Sequence, residues 1–259
     1  MTAPDAFDQI AGGYDGRFTQ SAIGRRMRRA VWRRCDALFP PGARLLEINC
    51  GTGEDAVHLG ARGVRVLATD ASAAMLAIAR EKARTAGVAG AVQFEQLRIE
   101  DVGPSLGTFD GVLSNFGGLN CVADLGSVAA GLASVLRRGG LALLCVMGPW
   151  VPWEWAWFAL RGDPARAVRR LRRGGTPWRG LVIHYPSIAA VRRAFRPSFR
   201  VRRVGALCVL CPPPFADGWA SRHPRLVDTL DRVERTVETA WPFPWLADHY
   251  VIELERTPA

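Results

Sequence analysis

The sequence predicts an α/β protein: a mainly parallel, seven-stranded sheet with helices on both faces, carrying an inserted cap rich in aromatic residues and arginine. Three observations predict it. Short apolar segments alternate with segments of helical length from residue 44 to residue 147, as in βαβ units with right-handed crossovers. A glycine turn, Gly51-Thr52-Gly53, follows the first apolar segment, and an acid, Asp70, ends the second. After Gly148-Pro149 the composition changes abruptly, with Trp150, Trp153, Trp155 and Trp157 crowded together and arginines following.

Taken in order, residues 1–20 read as Gly-rich and irregular. From Arg25 to Leu38, apolar residues at Met27, Ala30, Val31, Cys35 and Leu38 give helical spacing with a basic outer face, ended by Pro40-Pro41-Gly42. Arg44–Asn49 is a strand, Glu54–Arg62 a helix closed by Gly63, and Arg65–Asp70 a second strand. Ser72 can cap a helix running to Thr85. Val92–Leu97 and Phe109–Asn115 are strands, Asp124–Arg137 a helix ended by Gly139-Gly140, and Leu141–Met147 a fifth strand. Ser187–Phe195 is expected to be helical, Phe199–Leu210 a long strand, Pro212-Pro213-Pro214 a break, Pro224–Ala240 a helix and Tyr250–Leu254 the closing strand. The expected organisation is an N-terminal lid and helix over 1–40, a ligand-binding core over 41–147, a cap over 148–198, and strands and a helix completing the core over 199–259.

With 259 residues, 49% hydrophobic and 22% charged, the chain has the composition of an ordinary globular protein and enough apolar material for a buried sheet. No apolar run reaches the ~20 residues of a bilayer span, and Met1–Ile10 lacks a signal-peptide pattern, so a cytoplasmic location is expected. The six cysteines show no paired metal spacing; Cys208 and Cys211 lack a second pair, and all six read as reduced thiols with no metal. The net charge is +10, carried almost wholly by arginine because Lys82 is the one lysine. Such charge favours acidic partners without specifying nucleic acid.

The chemistry concentrates in residues 45–72, LLEINCGTGEDAVHLGARGVRVLATDAS. Glycines at 51 and 53 let backbone approach a ligand closely. In a doubly wound sheet Asp70 faces that turn, where a carboxylate can accept both hydroxyls of a ribose. Glu54 and Asp55, which follow the turn, are poor company for a diphosphate, and with Glu47 on the first strand they favour a ligand that carries positive charge. A purely structural turn with a solvated Asp70 is the bland alternative.

This segment resembles motif I of the class I S-adenosylmethionine-dependent methyltransferases of the small-molecule type: Glu47 matches the acid, Gly51 and Gly53 match the second and third glycines, and Asn49 replaces the first. The likeness runs to about residue 147. Asp70, Ala71, Ser72, Met75 and Leu76 resemble the D-x-S-x-x-M-L segment whose acid holds the ribose. QLRIED, residues 96–101, resembles the adenine loop, with Arg98 where an acid is common, Ile99 available to the purine face, and Glu100 or Asp101 as substitute acids. FDGVLSNFGGLN, residues 109–120, resembles the fourth-strand motif, in which Ser114, Asn115 and Phe116 line the methyl-transfer opening. Tyr14-Asp15 resembles the tyrosine-containing lid. The resemblance implies a Rossmann-like fold, S-adenosylmethionine as methyl donor with S-adenosylhomocysteine as product, and cofactor contacts from Tyr14, Glu47, Asn49, Gly51, Gly53, Asp70, Ala71, Met75, Ile99, Glu100, Asn115 and Phe116.

Methyl transfer from a sulfonium demands alignment and water exclusion, with a base only where the nucleophile must lose a proton. Among His184, His223, His249, Glu154 and Tyr185, the preferred base is His184, which ends the apolar run LVIH near the cap. His249, next to Asp248, reads as a hydrogen-bonded structural histidine, His223 as a helix cap, and His58 as structural or exposed. Trp150, Trp153 and Trp157 share one helical face; they are either a face buried on the core or, with Asn120, a wall for an apolar or aromatic, lipid-like or acidic acceptor. Arg166–Arg173 reads as a solvated helix face that could also grip an acid. A small-molecule acceptor is therefore expected. The alternatives are an RNA methyltransferase, suggested by the charge but lacking an N-P-P-Y motif or appended RNA-binding module, and a cofactor-binding protein that does not methylate.

Overall fold

The computed structural model describes residues 3–212 and 216–258; the expected break at Pro213-Pro214 lies outside the described residues. The N-terminal segment forms α1 (Ala3–Asp8), α2 (Ala11–Tyr14) and a π-helical turn at Asp15–Thr19, followed by α3 (Ala22–Leu38). The irregular start read from the glycines is thus corrected. Low helix propensity is overridden by anchors to the core: Asp8 accepts from the Ser72 hydroxyl and the Ala74 N–H, and Asp15 from the Thr52 hydroxyl at 2.6 Å.

The core then alternates: β1 (Arg44–Ile48), α4 (Glu54–Ala61), β2 (Arg65–Asp70), α5 (Ala73–Thr85), β3 (Val92–Gln96), β4 (Phe109–Ser114), α6 (Leu125–Val135) and β5 (Leu136–Met147). Ser72 and Asp124 cap α5 and α6 through their side chains. α6 stops short of Gly139-Gly140 because Leu136 already pairs with Phe109 and is buried, so β5 runs through both glycines.

After β5 come α7 (Pro152–Ala159), α8 (Pro164–Ala167), a short hairpin of β6 (Thr176–Trp178) and β7 (Leu181–Ile183), and α9 (Ile188–Phe195). β8 (Phe199–Leu207), α10 (Asp217–Arg222), α11 (Pro224–Val237), α12 (Phe243–Leu246) and β9 (His249–Arg256) complete the chain. β8 ends three residues earlier than expected. Cys208 takes a left-handed φ of 58°, and the N–H groups of Cys208, Val209, Leu210 and Cys211 all turn onto the buried carboxylate of Glu234 in α11.

The seven-stranded sheet has the order β3-β2-β1-β4-β5-β9-β8; β9 alone runs against its neighbours. Alternation along each strand builds two cores, one per face. Leu45, Leu113, Leu143 and Cys145 pack with α3, α4 and α5, whereas Leu46, Val112 and Leu144 pack with α6 and α9. Parallel strands covered on both faces become continuous apolar runs, which is why they were legible. The chain reverses its order between β1 and β4, so a crevice opens beyond their carboxyl ends.

Candidate functional site

A cleft whose empty space, open mouth included, is about 970 Å³ occupies that crevice. Its floor is the turn after β1. Asn49 adopts φ 57°, a left-handed conformation that asparagine tolerates better than most residues, and Gly51 adopts φ 53°. Asp70, at the end of β2, faces this turn: one carboxylate oxygen accepts from the Gly51 N–H at 2.9 Å, the other from the Ser72 N–H at 2.9 Å. Burial pushes its carboxyl up, and the two N–H groups only partly oppose this. Each oxygen keeps a lone pair for a further donor.

Ala71 and Met75 extend this wall, and Ile99 and Glu100, from the turn after β3, stand across from it in the same cleft. Asn115 and Phe116, beyond β4, form the inner side, where Phe116 is held at φ 46°. Tyr14 lines the cleft from the N-terminal segment, and burial raises its phenol so that it keeps its proton. These residues, with Asn49, Gly51 and Asp70, are brought together as the sequence placed them.

Two others are not. Glu47 has the same strand parity as Leu45, so it points into the packed face beneath α4, fully enclosed. Its Oε2 has no hydrogen-bond partner among the described residues, and burial, reinforced by nearby Asp55, holds its carboxyl well above the usual range. Gly53 also lies behind the wall; a Cβ there would stand 2.7 Å from Ala79, so its role is close packing of α4 against α5.

The acids after the turn are spoken for internally. Asp55 is paired with buried Arg28 at 2.6 Å and also accepts from Trp32 at 2.6 Å and Asn115 at 2.9 Å. Glu54 meets Lys82 at 2.7 Å, and the same ammonium reaches Asp15 at 2.8 Å. Asp55 is thus compensated by Arg28, whereas Asp15 and Glu54 share the one Lys82 ammonium, and the bias toward a cationic ligand rests on that surplus charge and on Asp70.

Sequence reading missed Phe7, Arg28, Gly117, Gly118 and Cys121, all on the cleft wall. Arg28 sits in a run of arginines that looks uniformly solvated. Gly118 is required because a Cβ would stand 2.3 Å from the Asn49 side chain; the adjacent Gly-Gly was the available signal. Cys121 is a thiol pushed up to about 11 by burial, and so is no thiolate nucleophile.

The acceptor candidates fall elsewhere. Asn120 is fully buried and structural: its amide donates to Met147 O at 3.0 Å and to His184 O, and its side-chain oxygen accepts from the Met147 N–H at 3.0 Å. His184 lines a second, shallow groove with Arg172, Arg173 and Tyr185, which meets the main cleft at Val122. Trp150 precedes α7, and Trp153 and Trp157 are half-buried and outside the cleft wall. The buried face of α7 is instead Glu154 and Phe158. Glu154 lies between Arg169 (2.7 Å) and Arg170 (2.8 Å), so Arg170 is a core residue rather than part of a solvated face.

Arg170 continues inward to Asp248 at 2.6 Å, and Asp248 to His249 Nδ1 at 2.8 Å. Burial pushes the Asp248 carboxyl up, but Arg170 and His249 outweigh it and hold it well below the usual range. The Asp248 carboxylate fixes the His249 ring through Nδ1 and leaves Nε2 as the nitrogen not held by that contact. Its ring stands edge-on to Phe116, with centroids 5.8 Å apart. His58 pairs with Asp36 at 2.9 Å and stacks on Trp32, and His223 makes no side-chain cap but bonds Trp219 O at 3.0 Å.

Residues 45–140 match a methyltransferase domain family. The chain is 31% identical over 142 residues to a tRNA 5-carboxymethoxyuridine methyltransferase of Escherichia coli, covering 53% of this chain and 54% of that protein. It is 34% identical over 157 residues to a demethylmenaquinone methyltransferase of Beutenbergia cavernae, covering 57% and 60%. The chain thus spans about half the length of the curated relatives it matches. A magnesium protoporphyrin IX methyltransferase of Synechocystis PCC 6803, solved with bound SAH, aligns with 98% of this chain and 97% of its own at a TM-score of 0.61. At 17% identity, that likeness is one of fold.

Proposed function

Taking as premise that the chain carries a class I S-adenosylmethionine-dependent methyltransferase domain, we propose that the protein transfers a methyl group from S-adenosylmethionine to a small apolar or aromatic acceptor. The observation that carries this reading is the convergence of the Asp70 carboxylate and the Gly51 turn at the switch point, beside the apolar Met75 and Ile99. Those groups suit a nucleoside: a carboxylate for ribose hydroxyls and aliphatic surface for a purine. The free lone pairs of the Asp70 carboxylate, with Glu54 on the same cleft wall, suit a ligand with positive charge. Asn49, Ala71, Glu100, Asn115 and Tyr14 complete the proposed cofactor contacts.

When bound, S-adenosylmethionine supplies an electrophilic methyl on a sulfonium. The chain's part is alignment and exclusion of water: Phe116 and Phe7 present aromatic surface, and Tyr14 and Arg28 close the cleft from the N-terminal side. For an acceptor that must lose a proton we assign the base to His249, which is oriented by Asp248 and in ring contact with the cleft wall, in place of His184. The relative that acts on demethylmenaquinone supports an apolar acceptor. An RNA acceptor is the second reading, favoured by the +10 charge and the tRNA-modifying relative.

Titration calorimetry with S-adenosylhomocysteine tests the cofactor assignment. Asp70→Ala is expected to weaken binding about ten-fold or more, the loss of charge-assisted hydrogen bonds. Unchanged affinity in a folded variant removes Asp70 from the site and with it the reading.

A further inference from the structure

Large apolar side chains that stay exposed are concentrated in one region. Of the eight among the described residues, five lie between positions 150 and 182: Trp150, Leu160, Val168, Leu171 and Val182, with Leu160 86% exposed. This region is one packed module. α7 packs on α8, the Thr176 hydroxyl bonds Arg169 O at 3.0 Å, and Gly175 N–H bonds Arg172 O at 3.1 Å.

Its charge is as uneven as its apolar exposure. The two acids are Glu154 and Asp163. Glu154 is 0% exposed and neutralised by Arg169 and Arg170, and Asp163 is engaged as the cap of α8, accepting from the Arg166 N–H at 3.0 Å. Arg161, Arg166, Arg172, Arg173 and Arg179 remain exposed. Three of these guanidiniums lie over aromatic faces: Arg161 over Trp157 at 3.5 Å, Arg166 over Phe158 at 4.6 Å and Arg179 over Trp178 at 5.7 Å.

Exposed aliphatics interleaved with arginines and tryptophan are the composition of a surface that meets the headgroup region of a bilayer: the apolar chains enter the acyl boundary and the guanidiniums pair with lipid phosphates. Nucleic acid would use the same arginines, but it has no use for Leu160, Val168, Leu171 and Val182, because bases are held by aromatic stacking and phosphates by charge. No helix among the described residues is long and apolar enough to cross a membrane, so the contact is with the surface. The module borders the cleft: Trp178 touches Phe7, a cleft-wall residue, with ring centroids 5.5 Å apart.

We propose that residues 150–182 dock the protein on an anionic lipid bilayer and set the mouth of the cleft against it. The docking stands without the cofactor assignment; only its purpose, access to a lipid-dissolved acceptor, rests on that reading.

The full chain is sedimented with vesicles of phosphatidylcholine alone and of phosphatidylcholine containing about one-third phosphatidylglycerol. Partition onto the anionic vesicles is expected to exceed that onto neutral ones at least ~10-fold and to fall with salt. Arg172→Glu with Arg173→Glu, and separately Leu160→Ser with Leu171→Ser, should each lower it about ten-fold, whereas Leu226→Ser with Val233→Ser, exposed aliphatics on α11, should not. Circular dichroism melts and S-adenosylhomocysteine calorimetry on every variant show that folding and the cleft are intact. Equal partition onto both vesicle types, no partition, or no effect of the Leu160/Leu171 pair overturns the docking. So does tight binding of a short RNA that the leucine pair leaves unchanged. Vesicle binding by a parent protein that ignores S-adenosylhomocysteine sinks the cofactor reading and leaves the docking standing.

Discussion

At the scale of a residue, Glu47 carries a cost of folding. Its carboxyl is enclosed in the core with one oxygen unpartnered, and burial holds its pKa well above that of an unfolded chain. The folded state therefore retains a proton that the unfolded state releases, and stability declines as pH rises past the ordinary glutamate range near ~4.3. Glu47→Gln should raise the ligand-free melting temperature at neutral pH, by about 1–2 kcal/mol in stability. The gain should shrink below the glutamate range, where both states hold the proton; thermal melts across pH read this directly, and a gain independent of pH would refute it. His249 presents the catalytic counterpart. With an acceptor in hand, His249→Asn should lower kcat ~10²-fold or more while KM stays put, and His184→Ala should leave kcat alone. The reverse pattern would restore His184. Motif residues were legible because their types are tied to backbone geometry; Arg28 and Glu154 were not, since a buried arginine and a solvated one read alike in sequence.

The N-terminal elements are fastened to the core by few contacts. Lys82, on α5, joins Asp15 and Glu54 at 2.8 and 2.7 Å. Burial alone would raise the Asp15 carboxyl, but hydrogen bonds from Lys82 and Thr52 lower it below its ordinary value. This fastening is complete above the usual aspartate range and is released only as pH falls through the depressed value. Lys82→Met should leave global stability nearly unchanged, within ~1 kcal/mol because the pair is partly solvated. It should, however, speed S-adenosylhomocysteine dissociation several-fold by stopped-flow fluorescence; an unchanged rate would mean these elements do not gate the cleft. Sequence caps placed α5 and α6 well, Ser72 and Asp124 being local signals. The helices before Thr19 were illegible, because their anchors lie on the turn after β1 and on α5, far along the chain.

Across the whole molecule, the chain Glu154–Arg170–Asp248–His249 ties the module after β5 to the carboxyl edge of the sheet. Arg170→Met would leave two buried carboxylates underpaired, Glu154 with Arg169 alone and Asp248 with His249 alone, costing about 3–5 kcal/mol at neutral pH, a fall in melting temperature on the order of 10 °C. The deficit should narrow as the underpaired carboxylates protonate on acidification, whereas the parent keeps the benefit of Asp248 until pH falls through its depressed pKa. A small, pH-independent effect would show that the module is held by other contacts. The sequence by itself determined the alternation of strands and helices, the glycine turn and its facing acid, since these are set by local periodicity and by dihedral limits that reach only a few residues. Tertiary structure decided which charges are free. Asp55, Glu54 and Glu154 all read as available acids, and each is paired with a base distant in sequence, Arg28, Lys82 or Arg170. Coulomb pairing depends on distance in space, which periodicity along the chain does not encode.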